Sequence, residues 1–132
     1  MRAVLDASAA ANIVLRTELA PTLIEKLKRS QLVIAPSLFH GEIANTLWKY
    51  VRFGDLDKET ALTRYAEAVG LVDMFEADAQ LAAEALSTAI RHKHSVYDML
   101  YVVLARRHGC GILTVDRKLI ALARQVDKSA LP

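Results

Sequence analysis

Cysteine is nearly missing: Cys110 is the only one in 132 residues, so no internal disulfide can form and a reducing compartment fits. Three prolines and five glycines are too few for a collagen-like or linker-like chain. No apolar run approaches the ~18 residues of a membrane-spanning helix. The stretch from Met1 to Asp6 turns charged too soon for a secretory leader, so a cytoplasmic chain without membrane association is expected. Neither sign of charge dominates: seventeen Lys and Arg face fifteen Asp and Glu, which names no partner by itself. What is present is ordinary for a globular protein: 53% apolar and 24% charged residues. That excludes a disordered chain. The length suits one domain, residues 1–132, burying roughly two thirds of its unfolded surface.

Short apolar runs alternate with longer helical patterns. Ala3-Val4-Leu5, Leu32-Val33-Ile34, Leu71 to Phe75 and Ile112 to Val115 read as strands covered on both faces. Helices are expected over Ser8–Leu15, Pro21–Arg29, Ser37–Phe53, Lys58–Val69, Ala77–Lys93, Val96–Arg107 and Leu119–Val126. The sixth is apolar nearly all round and should be deeply packed, with Gly109 suited to its end. The alternation predicts an α/β fold around a mainly parallel sheet of four or five strands.

Two acids directly follow strand candidates: Asp6 the first and Asp116 the fourth. Ligands of open α/β sheets bind beyond the carboxyl ends of strands, where strand order reverses, so neighbouring strands would bring these two together. Ser8 and Thr114 accompany them with hydroxyls. Glu42 borders an apolar helix stripe, and Asp98 opens the most apolar helix. Anions in such places need a partner. Each has a plain alternative: Asp6 and Asp116 as helix caps, Ser95 with Asp98 as a capping box, Glu42 facing water. Capping does not account for all four. Were they to share a pocket, seventeen bases would face eleven acids elsewhere, which suits a polyanion approaching a bound cation. Arg117, Lys118, Arg16, Lys49 and Arg52 are candidate phosphate contacts, Arg117 foremost. The aromatics Phe39, Trp48, Tyr50, Tyr97 and Tyr101 are either base-stacking groups or core. No Cys or His spacing suits zinc.

Four segments, in order, resemble the PIN-domain ribonucleases, most closely the VapC-type toxins. They are Arg2-Ala-Val-Leu-Asp6-Ala-Ser8, Ala35 to Leu47 with Glu42, Ser95 to Ala105 with Asp98, and Ile112 to Leu119 with Asp116. The resemblance implies a three-layer α/β/α sandwich and a metal site of Asp6, Glu42, Asp98 and Asp116, supported by Ser8 and Thr114. Arg117 and Lys118 stand where some relatives carry another acid, so a fifth carboxylate is not expected. Also implied are Mg²⁺, with Mn²⁺ able to substitute, and RNA hydrolysis leaving a 5′-phosphate and a 3′-hydroxyl. A VapB-type antitoxin is implied as partner, and a homodimer through the third and fourth helices around Trp48. Mg²⁺ prefers oxygen ligands, and a dication relieves the repulsion among clustered carboxylates. In such a site the ion activates a water for in-line attack on phosphorus.

Rival readings exist. A phosphatase would carry a second Asp two residues after Asp6, where Ser8 stands. A receiver domain would carry adjacent acids and a late lysine. A non-catalytic PIN-fold module binding RNA or protein would have no need of all four acids.

Overall fold

Four short parallel strands form the centre of the computed structural model, which describes residues 1–130. In chain order the elements are β1 (Arg2–Leu5), α1 (Ala7–Val14), α2 (Ala20–Lys28), β2 (Leu32–Pro36), α3 (Leu38–Phe53), α4 (Lys58–Gly70), β3 (Met74–Glu76), α5 (Asp78–His92), α6 (Val96–His108), β4 (Gly111–Leu113) and α7 (Arg117–Ala130). The sheet order is β3-β2-β1-β4. Val4 lies opposite Ile34 of β2, and Leu5 opposite Leu113 of β4. The chain first moves from β1 through β2 to β3, then crosses back to place β4 on the far side of β1. Strand order therefore reverses between β1 and β4, where an open α/β sheet leaves a crevice for ligands.

Successive strand residues point to opposite faces, and each face carries its own core. Leu5, Val33, Ala35 and Leu113 pack with α1 to α4; Phe39, Ile43 and Leu47 of α3 are buried there. Val4 and Ile34 pack with α5, α6 and α7. Helices on both faces of the sheet make three layers. The sequence marked α6 as apolar all round, and Met99 to Ala105 are indeed consecutively buried. That helix is wedged between the sheet and helices α5 and α7. Gly109 ends it at φ +60°, a left-handed conformation that glycine adopts without a Cβ penalty.

Two strands are shorter than the sequence predicts. Leu71 and Val72 finish α4, donating to Ala68 and Val69 carbonyls, so β3 starts only at Met74. Asp73 joins it to β2: its backbone N–H donates to Val33 O, and its carboxylate accepts the Val33 N–H, each at 2.8 Å. At β4, pairing stops at Leu113 because hydroxyls take over. Val115 N donates to Ser8 Oγ at 3.2 Å, and Asp116 N to Thr114 Oγ1 at 2.9 Å. Asp116 thus stands two residues beyond Thr114 in a turn, not at the strand end. Among the described residues no helix is long and apolar enough to cross a membrane.

Candidate active site

Asp6 is where β1 stops and α1 starts. Its extended backbone (φ −93°, ψ 166°) makes it the N-cap, and Oδ1 accepts the Ala9 N–H at 3.0 Å. The cap is only part of its bonding. Ser8 Oγ donates to Oδ1 at 2.8 Å and Thr114 Oγ1 to Oδ2 at 2.7 Å, while the two hydroxyls meet at 3.2 Å. The supporting hydroxyls thus tie the start of the chain to the turn after β4. Asp6 is 5% exposed, and burial raises its carboxyl above the usual range despite these bonds; the nearby Asp116 charge adds to the rise.

Glu42 sits half-buried on α3, one turn after the buried Phe39. Tyr101 of α6 donates its phenol to Glu42 Oε1 at 2.6 Å. Burial raises the Glu42 carboxyl, the phenol opposes the rise, and Asp6, Asp98 and Asp116 add to it. Burial and the facing Glu42 charge also push the Tyr101 phenol far up, so it stays a proton donor. Asp98 occupies the first turn of α6. The expected capping box does not form: Ser95 N donates to His94 Nδ1 at 2.8 Å, and Ser95 Oγ accepts from Tyr97 N. Asp98 faces the cavity instead. Burial and Asp116 raise its carboxyl, while His94, at 3.8 Å, and Lys118 lower it. Asp116 does cap α7, accepting the Lys118 N–H at 2.9 Å.

All four acids line one cavity of about 240 Å³, together with Ser8, Asn45, Thr46, Lys49 and Tyr101. Among the described residues, no Lys or Arg forms an ion pair with any of the four. They are brought together without being drawn to a point. Among the described residues no three acids or His and Cys side chains stand close enough for a ready-made metal centre. Beyond burial, each raised carboxyl is raised partly by another acid of the set. The donor set still suits a hard dication: carboxylate and hydroxyl oxygens, without thiols, in a pocket where four acids face the single lysine of its lining, Lys49.

The other candidate residues disperse. Arg117 and Lys118 are exposed at the start of α7. Arg16 is not in the acidic cavity; it lines a separate cavity of about 440 Å³ between α1, α2 and α4 and faces Glu67 at 3.9 Å. Phe39 and Tyr101 are core, whereas Trp48, Tyr50 and Tyr97 are exposed. Sequence reasoning missed the role of Tyr101, although its place one turn after Asp98 on α6 was the available signal. Tyr101→Phe should isolate that role. Losing a bond to a charged group is expected to destabilise the protein by about 1.5–3 kcal/mol. Activity should fall about 10- to 100-fold, by analogy with the loss of a group that orients a metal ligand. Cleavage rates and melting curves of the variant measure both.

A family model for the PIN domain matches residues 3–125. The chain belongs to the PIN-domain family. Within it, 33% of 124 aligned residues are identical to Ribonuclease VapC3 of Pyrobaculum aerophilum, over 90% of this chain and 92% of that protein. Two solved structures share the fold. PAE2754 from Pyrobaculum aerophilum has a TM-score of 0.73 at 23% identity, over 92% of this chain and 79% of its own. VapC20 of Mycobacterium tuberculosis, a sarcin–ricin-loop-cleaving toxin, has a TM-score of 0.66 at 20% identity, over 90% of this chain and 93% of its own.

Proposed function

We propose that this chain is a divalent-metal-dependent endoribonuclease, the toxin of a toxin–antitoxin pair, acting as one cytoplasmic PIN domain. One observation carries the reading: four acids from positions 6, 42, 98 and 116 line one cavity at the reversal point of a PIN-type sheet. Asp6, Asp98 and Asp116 are the residues that would hold the cation, Mg²⁺ foremost, with Mn²⁺ able to replace it. When bound, the cation supplies Lewis-acid activation of water and neutralises charge on the phosphate. Glu42, fixed by the Tyr101 phenol, orients the attacking water and accepts its proton. Ser8 and Thr114 hold the Asp6 oxygens in place. Arg117 and Lys118 contact RNA phosphates beside the cavity. In-line attack then leaves a 5′-phosphate and a 3′-hydroxyl.

An apolar groove of about 250 Å³ between α3 and α4, lined by Leu47, Trp48, Val51 and Leu62, supports a protein contact there. Trp48 is 55% and Leu62 61% exposed, more apolar surface than a solitary chain ordinarily leaves open. A second copy of the chain, or a helix of a VapB-type antitoxin, is the occupant.

The test is cleavage of cellular RNA by the purified chain in Mg²⁺ or Mn²⁺, with end-group analysis of the fragments. Cleavage that EDTA stops and added Mg²⁺ restores is expected. Cleavage persisting in EDTA, or fragments ending in a 2′,3′-cyclic phosphate, would refute the metal-dependent mechanism.

A further inference from the structure

Beside the acidic cavity lies a second one, of about 260 Å³, lined by Lys49, Tyr50, Phe53 and Gly54. Lys49 belongs to both walls. The two spaces are therefore adjoining compartments along α3, separated by a lysine side chain.

The helix geometry makes this continuity a consequence of spacing. At about 100° per residue, Glu42, Lys49 and Phe53 fall within about 40° of one another around α3. A rise of 1.5 Å per residue puts Lys49 about 10 Å and Phe53 about 16 Å beyond Glu42. Trp48 points about 100° or more away, toward the groove shared with α4. The Phe53 backbone position thus lies on another face from the proposed protein contact, although its ring borders that groove through Trp48.

The chemistry of the second compartment is that of a single-strand binding platform. Phe53 is 75% exposed and Tyr50 47%, an unusual cost for aromatic rings on a soluble helix. The Arg52 guanidinium lies 5.2 Å from the Phe53 ring centre, and Trp48 meets that ring edge-on at 6.1 Å. The ring is steadied yet open. Gly54 ends α3 beside these rings, where a Cβ would stand 2.8 Å from the Tyr50 carbonyl oxygen. A flat ring beside a cation, next to a site for a phosphodiester, matches how proteins hold unstacked bases of single-stranded RNA.

We infer that the Lys49–Tyr50–Phe53–Gly54 compartment is a nucleotide subsite of the nuclease. Lys49 contacts the phosphate next to the scissile one, and an unpaired base rests on Phe53. This rests on the ribonuclease reading and adds to it the residues that seat the flanking nucleotide.

Fluorescence anisotropy with a short labelled single-stranded RNA of mixed sequence, in Mg²⁺, tests it. The full chain carries Asp98→Asn there to silence cleavage. Phe53→Ala is expected to weaken binding about tenfold, and Phe53→Trp to restore it. Lys49→Ala should flatten the slope of log affinity against log salt by about 0.7. An RNA with one abasic site, moved along the strand, should lose affinity at one position in the parent and not in Phe53→Ala. If Phe53→Ala binds as tightly and responds to the abasic site as the parent does, the subsite is wrong. The same holds if it changes only the sedimentation of the protein, which would mark a protein contact. RNA cleavage by the unmodified chain, measured separately, distinguishes that failure from failure of the nuclease reading. A chain that neither cuts nor binds RNA overturns both.

Discussion

Replacing Asp6 or Asp116 by Asn is expected to lower RNA cleavage at least about a hundredfold while leaving the metal-free protein at least as stable as the metal-free parent. The rate estimate takes the loss seen on removing a partner of a metal ligand as a floor, since these would be ligands themselves. Stability is spared because both acids cap helices, Asp6 for α1 and Asp116 for α7, and Asn caps about as well as Asp. At position 6, Asn keeps one oxygen for the Ala9 N–H and the Ser8 hydroxyl, and its amide nitrogen can donate to the Thr114 hydroxyl in place of the lost Oδ2. At position 6 the exchange should even stabilise the metal-free protein, by an amount that depends on pH. Burial raises the Asp6 carboxyl above its unfolded value. The stability it contributes is therefore full below about pH 4 and is lost as pH rises through the folded value. Asn does not titrate. In EDTA, the melting temperature of Asp6→Asn relative to the parent should climb as pH rises above about 4. Normal cleavage by both variants would reduce these carboxylates to caps.

The second large effect concerns the cation itself. Among the described residues the cavity holds four acids without an ion pair to Lys or Arg, so the folded state alone should gain from a dication. At a hundred times its dissociation constant, a ligand of the native state adds about 2.7 kcal/mol. For a chain of this size that is a rise on the order of 10 °C in melting temperature. Mg²⁺ or Mn²⁺ titrated into EDTA-treated protein should show it, with a much smaller rise in Asp98→Asn. Equal shifts in the two proteins would place the binding elsewhere. No shift in the parent at millimolar Mg²⁺ or Mn²⁺ would count against a preformed carboxylate site.

Much of this was legible in the residues because the signals were local. Short aliphatic runs, one ending at Asp6 and the other stopped by Pro36, mark strands covered on both faces, and β1 and β2 lie where they do. The burial of α6 follows from apolar residues that leave no polar face. Adjacency of β1 and β4 was only a condition in the sequence, because pairing across the 105 residues from Asp6 to Cys110 leaves no local mark; the sheet order supplies it. Boundaries failed where side chains replaced ladder bonds. Asp73 looked like an interruption of a strand and is instead its lateral tie to Val33. Ser95 and Asp98 fit a capping pattern by spacing, yet the His94 ring takes the backbone N–H that Asp98 would have reached. Tyr101 looked like core or a stacking platform, and only three-dimensional proximity to Glu42 shows it as a donor. The split of the basic residues, with Lys49 in the acidic cavity and Arg16 beside Glu67, depends on how α3 and α1 lie on the sheet.

The knot of hydroxyls joining Ser8, Asp6 and Thr114 has a consequence for biogenesis. Its halves stand 108 residues apart in sequence, and β4 follows the other three strands. A nascent chain arrested before Leu113 lacks Asp116 and leaves Asp6 without one of its two clasps. Synthesis must therefore pass Asp116 before the four carboxylates can share a pocket.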